Sequence, residues 1–220
     1  ESEKEIKIIE DLSLNAWPSH QMQLYDGWIL RFSYFYTHRT NCIEQIGSSS
    51  IPLGDKLDYC EEIYEKWGTP AIYKITPLLS SSFDQMLTER GYHIAHVTEV
   101  MTMDMSNYKV REPLYPVTVS DVISPAWLDA LFDMKGTVNK IHRKIVPSMY
   151  AAIPKDVISA AVYEGKKIIG TGLCILDRDY AGIFAIHVDQ GFPRRHIGNA
   201  ICRALLNAAF CRGAASAYLQ

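Results

Sequence analysis

The sequence predicts an α/β (α+β) protein built in two halves, and three observations carry that expectation. Stretches with apolar residues at intervals of three and four alternate with short runs of strand-like patterning. Turn signals, Asp26-Gly27 and Glu164-Gly165-Lys166, open or join the strand runs. A segment without periodicity, Ser106 to Pro116, separates two stretches that each contain a strand pair, a helix and a further strand.

In chain order, Glu5 to Trp17 reads as an amphipathic helix on Ile6, Ile9, Leu12 and Ala16, ended by Pro18. Trp28 to Phe35 and Thr40 to Ile46 read as strands. From Pro52 the pattern is helical, with Leu57, Cys60, Ile63, Tyr64 and Trp67 on one face and Gly68 as the stop. Pro70 to Ile75 is expected as a strand, Ser80 to Arg90 as a helix, and His93 to Met103 as the strand closing the first half. Past the break, Ser124 caps a helix running to Lys135 with Pro125 at its first position. Asn139 to Ala152 is a second helix. Val157 to Tyr163, Lys167 to Leu176 and Tyr180 to Val188 are strands. Ile197 to Cys211 is a helix, and Ala217 to Gln220 begins another strand. The expected domains are 1–107 and 117–220.

The chain has 220 residues, a formal charge of −3 and 48% hydrophobic residues. Lys and Arg are scattered and the balance is mildly acidic, which argues against nucleic acid as a partner, since that binding relies on a basic face. Five cysteines with no CxxC pair and no zinc-like spacing read as small buried hydrophobes in a reducing cytoplasm, with no metal. The charged opening is unlike a signal peptide, and no apolar run approaches the ~20 residues of a bilayer span. The expectation is a cytoplasmic protein without a membrane partner.

The informative window is Tyr180 to Gln220: a strand, a polar loop, a helix and a strand. The loop and helix entry read Val188-Asp189-Gln190-Gly191-Phe192-Pro193-Arg194-Arg195-His196-Ile197-Gly198-Asn199-Ala200. A helix N-terminus offers unpaired N–H groups and the positive end of the macrodipole. Two arginines beside it make either a diphosphate cradle or two solvated loop charges.

These residues resemble the GNAT superfamily of acetyl-CoA-dependent N-acetyltransferases, whose fourth strand is followed by V-D-P-x-x-R-R-x-G-x-G-x-A-L. Val188-Asp189, Arg194 and Ile197-Gly198-Asn199-Ala200 align with it in register, and Arg195 follows Arg194 one place on. Arg203-Ala204-Leu205-Leu206, Arg212-Gly213-Ala214 and Ala217 to Gln220 are similar to the family's helix and fifth strand. Asp26-Gly27-Trp28-Ile29-Leu30-Arg31, Arg39-Thr40-Asn41 and Ile75-Thr76-Pro77 resemble the degenerate N-terminal half of a two-half subgroup. The resemblance implies two GNAT-like halves, each with a mixed, mostly antiparallel sheet flanked by helices. It implies a second half lacking the family's final helix and strands. It also implies acetyl-CoA as co-substrate, a small-molecule amine as acceptor, and compatibility with a homodimer.

Carried over residue by residue, the resemblance places the pantetheine arm on backbone groups of Ile186, His187 and Val188. The diphosphate falls on Arg194, Arg195, His196, Ile197, Gly198, Asn199 and Ala200. Two departures stand out. Pro193, where the family has Gln or Arg, has no N–H to give. His196 replaces a glycine that normally supplies positive φ cheaply, so it either weakens the loop or donates its own imidazole N–H to a phosphate.

The general base is not readable. The strand start that often carries Glu in the family is Tyr180-Ala181-Gly182. Glu164 sits in a turn, and His187 is open to a structural or a catalytic reading. Tyr34, Phe35 and Tyr36 with Arg31, Arg39 and Asn41 read either as core or as a substrate-facing cluster. The rival readings of the whole chain are a catalytically silent acyl-CoA-binding or ligand-sensing module and a structural interaction protein.

Overall fold

The computed structural model describes residues 2–220 and resolves into two compact units. One comprises residues up to 7 and 17–95; the other comprises 8–16 and 96–220. Helix α1 (Glu3–Ala16) thus contributes to both.

The first unit holds a three-stranded antiparallel sheet in the order β1 (Gln21–Tyr25), β2 (Trp28–Phe32), β3 (Ile43–Gln45). The β1–β2 turn is the expected Asp26-Gly27, with φ of 43° and 78°. Positive φ at both central residues is the type I′ requirement that Asp-Gly meets best. Helices α2 (Leu53–Lys66) and α3 (Ser81–Glu89) complete the unit, and Leu57, Cys60, Tyr64, Phe83 and Leu87 join Trp28, Leu30 and Ile43 in its core.

Several boundaries move from expectation. The strand from Trp28 stops at Phe32 because Tyr34 and Phe35 take φ of 54° and 58°. Asn41 secures that turn: its Oδ1 accepts from the N–H of Ser33 at 2.6 Å and of Phe35 at 3.1 Å. Thr40 belongs to a 3-10 turn, so the next strand begins at Ile43. Within 70–75 only Tyr73 bridges to Ile43, and no strand forms there. Of 93–103 only the last residues are a strand, β4 (Met101–Asp104), and it pairs in the second sheet instead of closing the first. The division between units therefore falls at Ala95/His96, ahead of the Ser106–Pro116 stretch.

The second unit is a six-stranded sheet that also takes in β5 (Thr118–Ser120), β6 (Asp156–Glu164), β7 (Lys167–Asp177), β8 (Tyr180–Val188) and β9 (Ser216–Leu219). The order is β4-β9-β8-β7-β6-β5, antiparallel except for the parallel β8–β9 pair. Helices α4 (Pro125–Lys135) and α6 (Ile197–Cys211) pack on it, and α5 (Lys140–Ala151) packs against α4. The cap expected at Ser124 forms, and two further caps at Asn139 and Gly136 accompany it. Ser124 Oγ accepts from Trp127 N–H at 3.2 Å, Asn139 Oδ1 from Ile141 N–H at 2.9 Å, and Gly136 ends α4 at φ 72°.

Helix α6 lies on one face, with Ile197, Ile201 and Leu205 over Gly170 and Gly172 of β7. Helix α4 contacts β7 and β8, with Trp127 Nε1 donating to Ala160 O at 2.8 Å. Residues of α1 tie into this unit through Asn15 to Asp177 at 2.7 Å and Ser13 to Gln220 at 3.0 Å. Cys42, Cys60 and Cys174 are buried, as expected of small hydrophobes, whereas Cys211 is exposed.

Candidate functional site

The site is built around one strand and the helix that follows it. β8 pairs with β7 along its whole length, but with β9 only from Tyr180 to Ile183, which lies opposite Leu219. On that second edge Ile186, His187 and Val188 have no strand partner among the described residues.

The strand is also bulged. His187 opposes Thr171 and Phe184 opposes Leu173, so Ala185 and Ile186 together face Gly172. Ala185 has φ 51°, and the buried Thr171 hydroxyl donates to its carbonyl at 3.3 Å. A bulge adds one residue to one strand and re-aims everything beyond it.

Past β8 the chain turns on Asp189. Its N–H donates to Ile169 O at 2.9 Å, its Oδ1 accepts from Gly191 N–H at 2.8 Å, and Lys167 Nζ reaches its Oδ2 at 2.6 Å. The lysine and that N–H hold the Asp189 carboxyl below the usual carboxylate range. Phe192 N–H closes the turn on Asp189 O at 2.9 Å.

Two residues then adopt left-handed backbone, Arg194 at φ 59° and His196 at φ 57°, and α6 starts at Ile197. Left-handed residues set next to right-handed ones turn successive N–H groups to one side, making an anion-binding concavity. None of the N–H groups of Arg194, Arg195, His196, Ile197, Gly198 or Asn199 donates to an acceptor among the described residues. The N–H of Ala200 is different: it bonds to His196 O at 2.9 Å, so Ala200 adds no free donor. A concavity of about 280 Å³ runs over this segment from Val188 to Gly198.

The structure thus gathers the expected residues in one place. Arg194, Arg195 and His196 are exposed at the concavity and Asn199 is exposed just past it, while Ile197 and Ala200 are buried and anchor the helix. Ile186 and Val188 turn their side chains onto the α6 core. Arg195 lies over the Phe192 ring, 5.0 Å from its centroid, with Nη1 4.0 Å from Glu164 Oε1. Glu164 is an exposed hairpin residue that also accepts from Tyr115 Oη at 3.2 Å.

In the first unit, Arg31 and Asn41 have internal tasks. Arg31 is buried, paired with Glu44 at 3.3 Å and bonded to the carbonyls of Arg39 and Trp17. A guanidinium consumed in this way does not face a substrate carboxylate. Sequence reasoning missed Thr171, whose hydroxyl clamps the bulge. The one available signal was its setting, Gly170-Thr171-Gly172, between glycines that a closely packed helix requires.

No group of metal-ligating side chains is present among the described residues, and no helix among them is long and apolar enough to cross a membrane.

A mixed sheet whose bulged central strand leads through a turn with two left-handed residues into a helix defines the GNAT acetyltransferase fold. The family model described as "Probable histone acetyltransferase Rv0428c C-terminal" matches residues 3–220, and the chain belongs to that family. Among solved structures, it is similar to a GCN5-related N-acetyltransferase from Kribbella flavida, with TM-score 0.70 and 13% identity over 97% of this chain and 84% of that one. It is also similar to a GCN5-related N-acetyltransferase from Sphaerobacter thermophilus, with TM-score 0.60 and 20% identity over 76% of this chain and 58% of that one. At such identities the likeness is one of fold. No curated protein matches the chain.

Proposed function

We propose that the chain transfers an acetyl group from acetyl-CoA to the amine of a small molecule by direct attack of that amine. The observation that carries this reading is the row of N–H groups from Arg194 to Asn199 at the start of α6, none of which donates to an acceptor among the described residues. A helix N-terminus of this kind suits a diphosphate, and Arg194 and Arg195 add charge beside it. The free edge of β8 at Ile186, His187 and Val188 suits the amide-bearing pantetheine arm, which would add to it as an extra strand does. Acetyl-CoA supplies an activated thioester. The protein's own part is to hold the two reactants in line, and to steady the charge on the carbonyl oxygen with a backbone N–H near Val188.

A catalytically silent acyl-CoA-binding or sensing module is the second reading. Two observations favour it: Pro193 supplies no N–H, and β8 opens on Tyr180-Ala181-Gly182 without a carboxylate. Turnover separates the two readings, because both bind CoA.

The test is calorimetry with acetyl-CoA on the wild type and on Arg194→Ala/Arg195→Ala. It is followed by a thiol-release assay with small amines and, given the family's description, a histone peptide. Acetyl-CoA at a hundredfold its Kd should stabilise the wild type by ~2.7 kcal/mol. The double variant should bind about ten- to a hundredfold more weakly, roughly 1.4–2.8 kcal/mol. Equal affinity in the two would reject the arginine role, and no binding at millimolar acetyl-CoA would reject the transferase reading.

A further inference from the structure

We infer that His187 is the proton acceptor of the transfer, aimed toward the acceptor amine by the bulge in β8; this rests on the transferase reading above. Side chains alternate along a strand, so Ile183 and His187 would share a face if β8 were regular. Ile183 lies in the core under α6, and His187 would be buried there with it. The extra residue at Ala185–Ile186 breaks that count. Ile186 and Val188 take the α6 face instead, with their methyl groups 3.9 Å from where a Cβ on Gly198 would stand. His187 is thereby turned to the opposite face, shared with Phe184 and α4, and is half-buried there.

The position suits a base for two reasons. Its backbone belongs to the free edge proposed for the pantetheine arm, next to Val188, near which a backbone N–H is proposed to steady the thioester carbonyl. Nor does any carboxylate on β8 compete for the task, since Tyr180 to Val188 contains none and Asp189 is paired with Lys167.

The groups around the imidazole favour its neutral form. Burial first, and then the Lys135 ammonium at the end of α4, hold its pKa below the ordinary histidine value. Thr171, opposite on β7, is uncharged and donates to Ala185. β9 does not reach this level of β8, and α6 lies on the other face.

The acceptor arrives as an ammonium and gives one proton to the imidazole. Its nitrogen bonds to the thioester carbon as the C–S bond breaks. The second proton passes from nitrogen to the departing thiolate, and the imidazolium returns its proton to solvent.

The test pairs kinetics of His187→Gln with NMR of the wild-type imidazole. In the wild type, kcat/KM should rise with pH through a single ionisation below 6.5, the ordinary histidine value. His187→Gln should lose that limb and fall 10²–10⁴-fold at neutral pH, with acetyl-CoA affinity kept within about twofold. A variant that turns over like the wild type on the same acid limb overturns the assignment. The NMR arm holds even if the variant does not fold. The ring signals of His187 and the amides of Arg194 to Asn199 should move together when acetyl-CoA is added. Loop amides that respond beside a silent ring would remove the role alone. Silence in both would remove the transferase reading and the role with it.

Discussion

Gly172 lies under Ile201 so closely that a Cβ on it would stand 2.3 Å from Ile201 Cγ2 and 2.8 Å from Ile186 Cδ1. The first contact is with a branch methyl held next to the α6 backbone, so the helix itself would have to lift. Gly172→Ala is therefore expected to destabilise the protein by about 1–3 kcal/mol, the usual cost of overpacking a core. It should also weaken acetyl-CoA binding, because the lifted helix carries the N–H groups of the concavity. Gly198→Ala is the contrast: its Cβ would meet Ile186 and Val188 at an ordinary 3.9 Å, and alanine favours helix by up to about 1 kcal/mol. Urea unfolding of both variants checks the pair. Equal stabilities would mean that α6 is not seated by Gly172.

Elements whose apolar period and end signals agree were legible in the sequence. α6 carries Ile197, Ile201 and Leu205 on one face, and α4 opens on the cap Ser124 with Pro125 at its first position, so its start could be read. What escaped lacks such agreement. β1 exposes Met22 and Leu24, so its alternation does not mark a buried face. Every residue of β4 is exposed, and its partner is remote in sequence. The site's composition was visible as two arginines beside a helix start, but its shape was not. Positive φ at Ala185, Arg194 and His196 is set by tertiary context against the preference of each residue.

His196 makes that last conflict measurable. An L-residue in the left-handed region costs roughly 1–2 kcal/mol, while glycine there adds freedom to the unfolded chain worth about 0.4–1 kcal/mol. His196→Gly should then leave the protein more stable by up to about 1 kcal/mol. Acetyl-CoA affinity should hold within about twofold, because the concavity is made of backbone N–H groups, which the substitution keeps. A denaturation midpoint that falls would show that the imidazole supports the loop. A tenfold loss of affinity would show that it touches the phosphates.

In the first unit, Asp26 and the fully buried Lys56 tie down the loop after β3. The Asp26 carboxylate accepts from the N–H groups of Ile51 at 2.8 Å and Ser50 at 2.9 Å, and Lys56 Nζ lies 3.4 Å away and 4.1 Å from the Trp28 ring centroid. The Ile51 N–H, the Ser50 hydroxyl and N–H, and the Lys56 charge together lower the Asp26 carboxyl from 3.8 to about 2. A depressed acid stabilises the fold fully above its unfolded value, and that contribution drains away as pH falls from about 4 toward 2. Asp26→Asn should remove this acid slope and lower the stability of the unit at neutral pH. It also leaves the Lys56 ammonium buried without its carboxylate. Burial already lowers the Lys56 pKa, and the substitution should lower it further. The unfolded chain then binds the proton more tightly, so the variant should regain stability as pH rises toward 10. Amide exchange at Ser50 and Ile51 reads the loop itself. Protection in the wild type should fall between pH 4 and 2 and be largely absent in the variant at pH 7. Unchanged protection there would mean that Lys56 and Ser49 hold the loop without the carboxylate.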